Sequence, residues 1–275
     1  MNLDYDSKIS LLRITLGYLE KELDRKKNEV EMLKHMHQNI SKLGADLESV
    51  LISNKLATKL TMNSYFIHAT PKVTYDGISK KRPGGIEFGD VLYIYTEGDK
   101  QNKIRENALL YQAKLFSSSK VDEHQLKLYT KWSPFSLLKE KNRKYVLNTN
   151  SNPHPGARYL LLDTSTLNTN FASTMTPEDN LRANRNDSYL EHDLVGLLDF
   201  SRGKELAGEW GEAINKVRDE IITNNLSKSG FVKNQSLSLV SEGQDNNLNE
   251  EIMKNVDVKG FWLIHIVSEV SNTVD

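Results

Sequence analysis

Two strand-like segments of this sequence each carry polar side chains inside an otherwise apolar run. The first extends over 86–96 and contains Asp90, and the second extends over 108–116 and contains Gln112 and Lys114. Alternation along a strand places Gln112 and Lys114 on one face. An unpaired carboxylate or ammonium there costs free energy, so we expect these residues to pair with each other or to hold a metal ion.

Pairing of the two segments as a hairpin would bring their polar side chains together. Asp90 would then lie a few ångströms across the ladder from Gln112 and Lys114, a geometry suited to a metal ion. A structural ion pair between Asp90 and Lys114 is the alternative interpretation. Alternation puts Glu87 on the opposite face from Asp90, which excludes Glu87 from the cluster unless a β-bulge reorients it.

Composition limits the function further. The 275 residues include 36 basic and 37 acidic ones, for a net charge of −1, so contacts with nucleic acid must come from local basic clusters. The absence of cysteine excludes disulfides, thiolate zinc sites and cysteine nucleophiles. The charged start lacks the apolar region of a secretory signal, and no apolar run approaches the roughly 20 residues of a membrane span. We therefore expect a cytoplasmic protein without membrane contact.

The first 43 residues differ in pattern from the remainder. Apolar residues recur at 4,3 spacing over 7–42, which predicts one long helix of the coiled-coil or helical-hairpin type. Gly44 is expected to end this helix. We expect the helical extension, residues 1–43, to pack on itself, on a second copy of the chain, which would give a homodimer, or on a partner protein. Residues 44–275 are predicted to form one domain.

The second region has the pattern of an α/β domain with a central sheet. The predicted helices cover 45–59, 121–132, 188–200 and 209–226. The predicted strands cover 64–69, 86–96, 108–116, 144–148, 159–163 and 259–267. We expect the first three strands to form a meander, and the last strand to return the chain to the same sheet.

The order of these elements and their polar residues resembles a known family. A helix, a strand, a strand with Gly89-Asp90, a strand with Gln112-Ala113-Lys114 and a second helix follow one another. This order is similar to the PD-(D/E)xK nuclease superfamily, in the Q-x-K variant of Mrr-like restriction endonucleases. The resemblance covers roughly residues 44 to 165. It implies a restriction-endonuclease-like core, with a mixed central sheet flanked by helices.

The resemblance also implies roles for single residues. Asp90 matches the metal-binding aspartate, Gln112 stands where most members have Glu or Asp, and Lys114 matches the catalytic lysine. Glu48 corresponds to a helical glutamate that some members add as a metal or water ligand, although a solvated helix residue is the alternative. Gln125 is the candidate for a polar residue from the following helix, or a plain exposed residue.

The implied activity is hydrolysis of phosphodiester bonds by a nuclease that uses Mg²⁺ or Mn²⁺, with DNA favoured over RNA. Such domains are frequent in bacterial restriction and anti-phage defence. Asp90, Gln112 and Glu48 would hold the metal ion, since hard oxygen ligands suit magnesium. The alternative is a catalytically inactive protein of the same fold that binds nucleic acid or assembles through its N-terminal helices.

Basic residues flank the predicted site in the sequence and are candidates for contacts with a phosphate backbone. They precede the Asp90 strand and occupy the loop before the Gln112 strand; the candidates are Lys80, Lys81, Arg82, Lys103 and Arg105. Taken singly, each is also compatible with an ordinary solvated loop.

Overall fold

The computed structural model of the chain describes residues 1–22, 28–68, 71–78, 82–98, 103–115, 121–140, 142–147, 154–162, 172–174, 188–228 and 260–270. Within these ranges the protein is mixed α/β, with a mixed central sheet flanked by helices. The predicted fold class is confirmed at this level.

The central sheet contains eight of the described strands. Its members are β1 (Ala57–Ile67), β4 (Val91–Gly98), β5 (Lys103–Leu115), β7 (Ala157–Leu162), β8 (Ala172–Thr174), β9 (Ser188–Tyr189), β10 (Lys204–Glu205) and β11 (Phe261–Val270). The strand order is β1-β11-β4-β5-β7-β8-β9, and β10 pairs with β5. A second sheet has the order β3-β2-β6, formed by β2 (Lys72–Tyr75), β3 (Ile86–Glu87) and β6 (Phe135–Leu137).

Helices cover both faces of the central sheet. The described helices are α1 (Tyr5–Glu22), α2 (Glu29–Gln38), α3 (Ile40–Ser53), α4 (Glu123–Lys131), α5 (Leu190–Leu198) and α6 (Gly208–Lys228). Side chains of α1, α2, α3 and α5 share a buried core with one face of the sheet. Side chains of α4, α6 and the second sheet share a second core with the other face. None of these helices is both long and apolar enough to cross a membrane.

The single helix predicted over 7–42 is wrong, because a new helix begins inside that range. Asn28 is the N-cap of α2, and its side chain accepts a hydrogen bond from the Glu31 N–H at 3.0 Å. The Tyr18 hydroxyl donates to the Met36 carbonyl at 3.0 Å, which ties α1 to α2. Both helices bury side chains against the sheet, so the described part of residues 1–43 packs on its own chain.

Gly44 does not end a helix but lies within α3. A Cβ at this position would lie 3.0 Å from the Cβ and 3.1 Å from the backbone N of Met62 on β1. The missing side chain therefore lets α3 approach β1 closely. The chain leaves the helix later, at Ser53, and the predicted helix over 45–59 runs into the beginning of β1.

The strands around the predicted site are only partly those expected from the sequence. β4 and β5 pair antiparallel, with Val91 opposite Tyr111. After α4 the chain passes through β6 of the second sheet and then forms β7, which is parallel to β5. The predicted meander is wrong, because β11 lies between β1 and β4. The return of the last strand to the central sheet is confirmed. Over 144–148, where a strand was predicted, Tyr145 forms an isolated bridge with Phe135.

Candidate active site

The backbone of Asp90 is fixed at the point where β4 begins. Its N–H donates to the Tyr111 carbonyl at 2.7 Å, and its carbonyl accepts from the Trp262 N–H at 2.9 Å. These bonds tie Asp90 to β5 on one side and to β11 on the other. As the alternation predicted, Asp90 and Gln112 both face the core that contains Leu92.

The Asp90 carboxylate lies in the interior, where two N–H groups of β5 hold it. The Gln112 side-chain amide donates to Asp90 Oδ2, and the Ala113 backbone N–H donates to the same oxygen at 2.8 Å. Asp90 is 1% exposed and Gln112 is 0% exposed. Burial of a carboxylate is tolerated where strong donors replace water. The contact between Asp90 and Gln112 is therefore an interior hydrogen bond of the hairpin and not a surface pair.

Gln125 on α4 continues the hydrogen-bonded row. Its Nε2 donates to Gln112 Oε1 at 2.8 Å and lies 3.4 Å from Glu87 Oε2. Asp90, Gln112, Gln125 and Glu87 thus form one chain, termed here the carboxylate–amide row. Two carboxylates stand at its ends and two amides between them. The interpretation of Gln125 as a plain exposed residue is wrong, since Gln125 is buried.

The first turn of α4 places Gln125 in this row. Asp122 is the N-cap, and its carboxylate accepts from the backbone N–H groups of His124 at 2.9 Å and Gln125 at 3.1 Å. Arg82 lies 2.9 Å from Asp122. Burial raises the pKa of Asp122, but the Gln125 and His124 N–H groups and Arg82 outweigh it and leave the pKa lowered. The cap therefore stays ionised at neutral pH.

The exclusion of Glu87 is wrong, because the predicted strand over 86–96 is two strands in different sheets. Glu87 belongs to β3, and the chain changes direction before β4 begins. At Gly89, a Cβ would lie 2.6 Å from Leu110 Cδ1 and 2.9 Å from the Tyr111 carbonyl oxygen. Only glycine fits there. A glycine inside a strand pattern often marks a bend, and this signal could have identified Glu87 from the sequence.

Lys114 lies two residues beyond Gln112 on β5 and is half-buried. By alternation its side chain leaves the same face of the strand as Gln112. Among the described residues no ion pair joins Lys114 to Asp90, whose Oδ2 instead accepts from Gln112 and Ala113. The structural ion pair considered from the sequence is therefore not what holds Asp90 in place.

Glu48 is not brought to the carboxylate–amide row. Its Oε1 accepts from the Leu60 N–H of β1 at 2.9 Å. Leu60 is opposite Ser268, and Ser268 is opposite Glu97 near the far end of β4 from Asp90. Seven residues of strand at about 3.3 Å each place these ends roughly 20 Å apart. The position of Glu48 therefore does not fit the predicted metal ligand.

The basic residues predicted to contact a phosphate backbone lie in different parts of the protein. Lys80, Lys81 and the side chain of Lys103 lie outside the described residues. Arg82 is near the row but is held by Asp122. Arg105 on β5 lies opposite Glu97, at the end of β4 that is far from Asp90. Its Nε is 3.7 Å from Glu97 and its Cζ is 3.2 Å from the centre of the Phe200 ring. Neither Arg82 nor Arg105 is a freely available cation.

Two buried tyrosines lie beside the row. The Tyr129 hydroxyl donates to the Phe88 carbonyl at 2.8 Å. Burial is the main cause that raises the pKa of Tyr129 well above its usual value, and nearby Tyr159, Asp90 and Glu87 add to the effect. Burial, with the charges of Asp122 and Asp90, likewise raises the pKa of Tyr159. Both hydroxyls remain protonated at neutral pH, which excludes them as general bases there.

Comparison with known proteins gives no relative: no family model, curated protein or solved structure matches the chain. Within the described ranges, no group of three or more His, Cys, Asp or Glu side chains could hold a metal ion. The carboxylate–amide row instead offers two carboxylates and two amide oxygens. Such hard oxygen donors suit a magnesium-like cation that keeps several of its own waters.

Proposed function

We propose that the protein is a metal-dependent nuclease that hydrolyses phosphodiester bonds, with DNA as the preferred substrate. The observation that carries the proposal is the carboxylate–amide row: Asp90 and Glu87 are joined through Gln112 and Gln125, with Lys114 next on the same strand. A buried row of this composition is costly for a purely structural role, since apolar residues would fill the same space without desolvating charges.

The order of elements supports the same proposal. Apart from the strands of the second sheet, which come between β1 and β4 and between α4 and β7, the elements follow the order α3, β1, β4, β5, α4 and β7. β4 and β5 are antiparallel, and β7 is parallel to β5. This order resembles the restriction-endonuclease-like core, in which Asp90 would be the metal-binding aspartate and Lys114 the catalytic lysine. By the same resemblance, bacterial restriction or anti-phage defence is the proposed setting.

The residues of the row fit a magnesium or manganese ion by donor type. Asp90 would hold the ion through a carboxylate oxygen and Gln112 would offer its amide oxygen, while Glu87, at the other end of the row, would accept from one of the waters that the ion keeps. When bound, such an ion polarises the phosphate and makes a water molecule more acidic. Glu87 would thereby take the place that the sequence suggested for Glu48. It would also restore the second negative charge that Gln112 lacks.

The chain's own residues would orient the reactants and balance the charge. Hydrolysis forms a bond from a water oxygen to phosphorus and breaks the bond from phosphorus to one sugar oxygen. The water gives up a proton to solvent, and the departing sugar oxygen takes one up. Lys114, a cation on the same strand face as Gln112, would neutralise the negative charge that builds on the phosphate. The hydrogen bonds from Gln112 and Ala113 would keep the Asp90 carboxylate oriented towards the bound phosphate.

The test is a cleavage assay with purified protein on plasmid, single-stranded DNA and RNA, each with Mg²⁺, Mn²⁺ or EDTA. We expect cleavage that requires the metal ion and falls at least a hundredfold in the Asp90→Asn and Lys114→Ala variants. Lys42→Ala, which removes an exposed lysine from α3, should cleave as the wild type does. Thermal denaturation would show that each variant is folded. Cleavage that survives both site substitutions would overturn the assignment of the site.

A second candidate function has an observation in its favour. The Asp90 carboxylate and the Gln112 amide satisfy each other within the protein, and both are essentially inaccessible to solvent. A nuclease-fold protein that only binds nucleic acid could keep such a contact for stability. No cleavage by the folded wild type on any substrate and metal ion, combined with retained binding of nucleic acid, would select this second function.

A further inference from the structure

Lys72 lies directly beside Glu87 in the second sheet. β2 and β3 pair antiparallel, with Lys72 opposite Glu87 and Val73 opposite Ile86. Residues directly opposite each other on antiparallel strands carry their side chains on the same face, with Cβ atoms about 5 Å apart. β2 is the middle strand of its sheet, and the Lys72 carbonyl accepts from the Leu138 N–H at 2.8 Å. The backbone therefore holds Lys72 firmly next to the carboxylate–amide row.

A cross-strand lysine and glutamate normally form an ion pair, but these two do not. Glu87 directs Oε2 to Gln125 Nε2, at 3.4 Å. Lys72 is exposed, and its ammonium is within ion-pair distance of no carboxylate among the described residues. The sheet thus places at the edge of a site with two carboxylates an accessible positive charge that has no acidic partner in the described part of the chain.

The basic side chains that the sequence suggested for phosphate contacts are in a different situation. Arg82 pairs with Asp122 at 2.9 Å. Lys144, a further lysine that comes after α4 in the sequence, pairs with Asp76 at 2.9 Å. A phosphate would have to compete with a carboxylate for each of these cations. For Lys72, no carboxylate of the described ranges has to be displaced.

We infer that Lys72 contacts a backbone phosphate of the nucleic acid, next to the phosphodiester bond that the row would cleave. The inference rests on the proposed function and names the residue that positions the substrate there. One direct contact between a lysine and a phosphate releases about one counterion, and it makes the fall of log K with log salt steeper by about 0.9 for duplex DNA. Near 0.1 M salt, one such unit of slope corresponds to about an eightfold change in affinity.

The test measures binding in EDTA, so that cleavage is not required. Fluorescence anisotropy with a labelled 24-base-pair DNA duplex would give the dissociation constant at several salt concentrations. For Lys72→Ala we expect a five- to tenfold weaker dissociation constant near 0.1 M salt and a salt slope smaller by about one. Lys42→Ala is the matched control, because it removes one exposed lysine charge on the opposite side of the central sheet.

The outcomes separate this inference from the proposed function. Equal losses of affinity in the Lys72 and Lys42 variants, or wild-type affinity in the Lys72 variant, would overturn the phosphate contact even if Asp90-dependent cleavage is found. A selective loss in the Lys72 variant would support the contact even if the wild type cleaves nothing. Failure of the wild type to bind the duplex at all would also overturn the inference.

Discussion

The side-chain amide of Gln112 donates a hydrogen bond to the carboxylate of Asp90, across the ladder that joins β5 to β4. Both side chains are buried. The amide supplies a hydrogen that a glutamate at the same position could not supply at neutral pH. This neutral donor therefore satisfies one oxygen of the Asp90 carboxyl group in the interior. The same contact makes the stability of the protein sensitive to which residue occupies position 112.

Replacement of Gln112 by glutamate should make folding depend on a divalent cation. Gln112→Glu puts a second carboxylate against Asp90, and an uncompensated buried charge costs about 3 kcal/mol. In EDTA we expect the free energy of unfolding to fall by about that amount. Mg²⁺ at millimolar concentration should restore most of the loss, since the cation would bind both carboxylates. Urea denaturation with and without Mg²⁺ measures both values.

The control for this experiment is Gln38→Glu, which makes the same chemical change at the end of α2, away from the row. Its cost should stay below about 1 kcal/mol and should not respond to Mg²⁺. A loss in the Gln112→Glu variant that is the same in EDTA and in Mg²⁺ would argue against a metal site at Asp90.

The two glutamates considered for the site should differ sharply in their effect on cleavage. Glu87→Gln removes a charge from the carboxylate–amide row but keeps an oxygen that can accept from Gln125. We expect a fall in cleavage rate of at least tenfold and a higher Mg²⁺ concentration for half-maximal rate. Glu48→Gln keeps the hydrogen bond from the Leu60 N–H and should cleave within about twofold of the wild type. A larger effect at Glu48 than at Glu87 would show that the sequence-based choice was the better one.

The common face of the polar side chains in the hairpin could be predicted from the sequence, because side-chain direction in a strand follows a short-range rule. Alternation along β4 and β5 is enough to place Asp90 and Gln112 on a common face, once the two strands are paired. Glu87 could not be placed in this way, because its position depends on a change of sheet at Gly89. Gly89 is the local signal of that change, but alternation taken alone passes over it.

Contacts between distant parts of the chain could not be predicted from the sequence, for a different reason. The insertion of β11 between β1 and β4 joins residues that are about 170 to 210 positions apart in the sequence. A local sequence pattern does not show which distant strand will be the neighbour. The apolar spacing over 7–42 likewise does not reveal the surface that it faces. In the structure that surface is the protein's own sheet, and Asn28 provides the cap at which a second helix begins.

The buried His37 should make the protein less stable in mild acid. Its Nδ1 lies 2.6 Å from the Leu33 carbonyl oxygen and its Nε2 lies 2.7 Å from the Tyr93 hydroxyl. The carbonyl can only accept, so Nδ1 carries the hydrogen and Nε2 accepts from Tyr93. Burial lowers the pKa of His37 from 6.5 to about 4. Protonation would place a second donor against the Tyr93 hydroxyl in an apolar surrounding.

The direction of the pH effect follows from the proton count. Below pH 6.5 the unfolded chain binds a proton at His37, whereas the folded protein does not until about pH 4. Stability is therefore fully present above pH 6.5 and falls as the pH drops towards 4, by roughly 3 kcal/mol in total. His154, whose pKa burial and Lys204 lower to about 3, adds a loss of the same sign. Urea denaturation between pH 7 and pH 4 measures the sum.

His37→Gln separates the contribution of His37 from that of His154. Glutamine cannot titrate in this range but can still donate and accept a hydrogen bond, so the variant's stability should fall less steeply below pH 6.5. His192→Gln, at an exposed position of α5, should leave the slope unchanged. Parallel pH profiles for the wild type and the His37→Gln variant would contradict the assignment.

Two glycines in helices should respond in opposite directions to the same substitution. At Gly44 an added methyl group would lie 3.0 Å from Met62 Cβ, so Gly44→Ala should push α3 away from β1. We expect a loss of about 1 to 3 kcal/mol from overpacking, larger than the roughly 1 kcal/mol that alanine contributes through helix propensity. At Gly17 on α1, nothing lies within 4 Å of the added carbon. Gly17→Ala should therefore stabilise the protein by about 0.5 to 1 kcal/mol. Urea denaturation of both variants under one set of conditions gives the comparison, and a stabilising Gly44→Ala would show that α3 does not rest against β1 as closely as described.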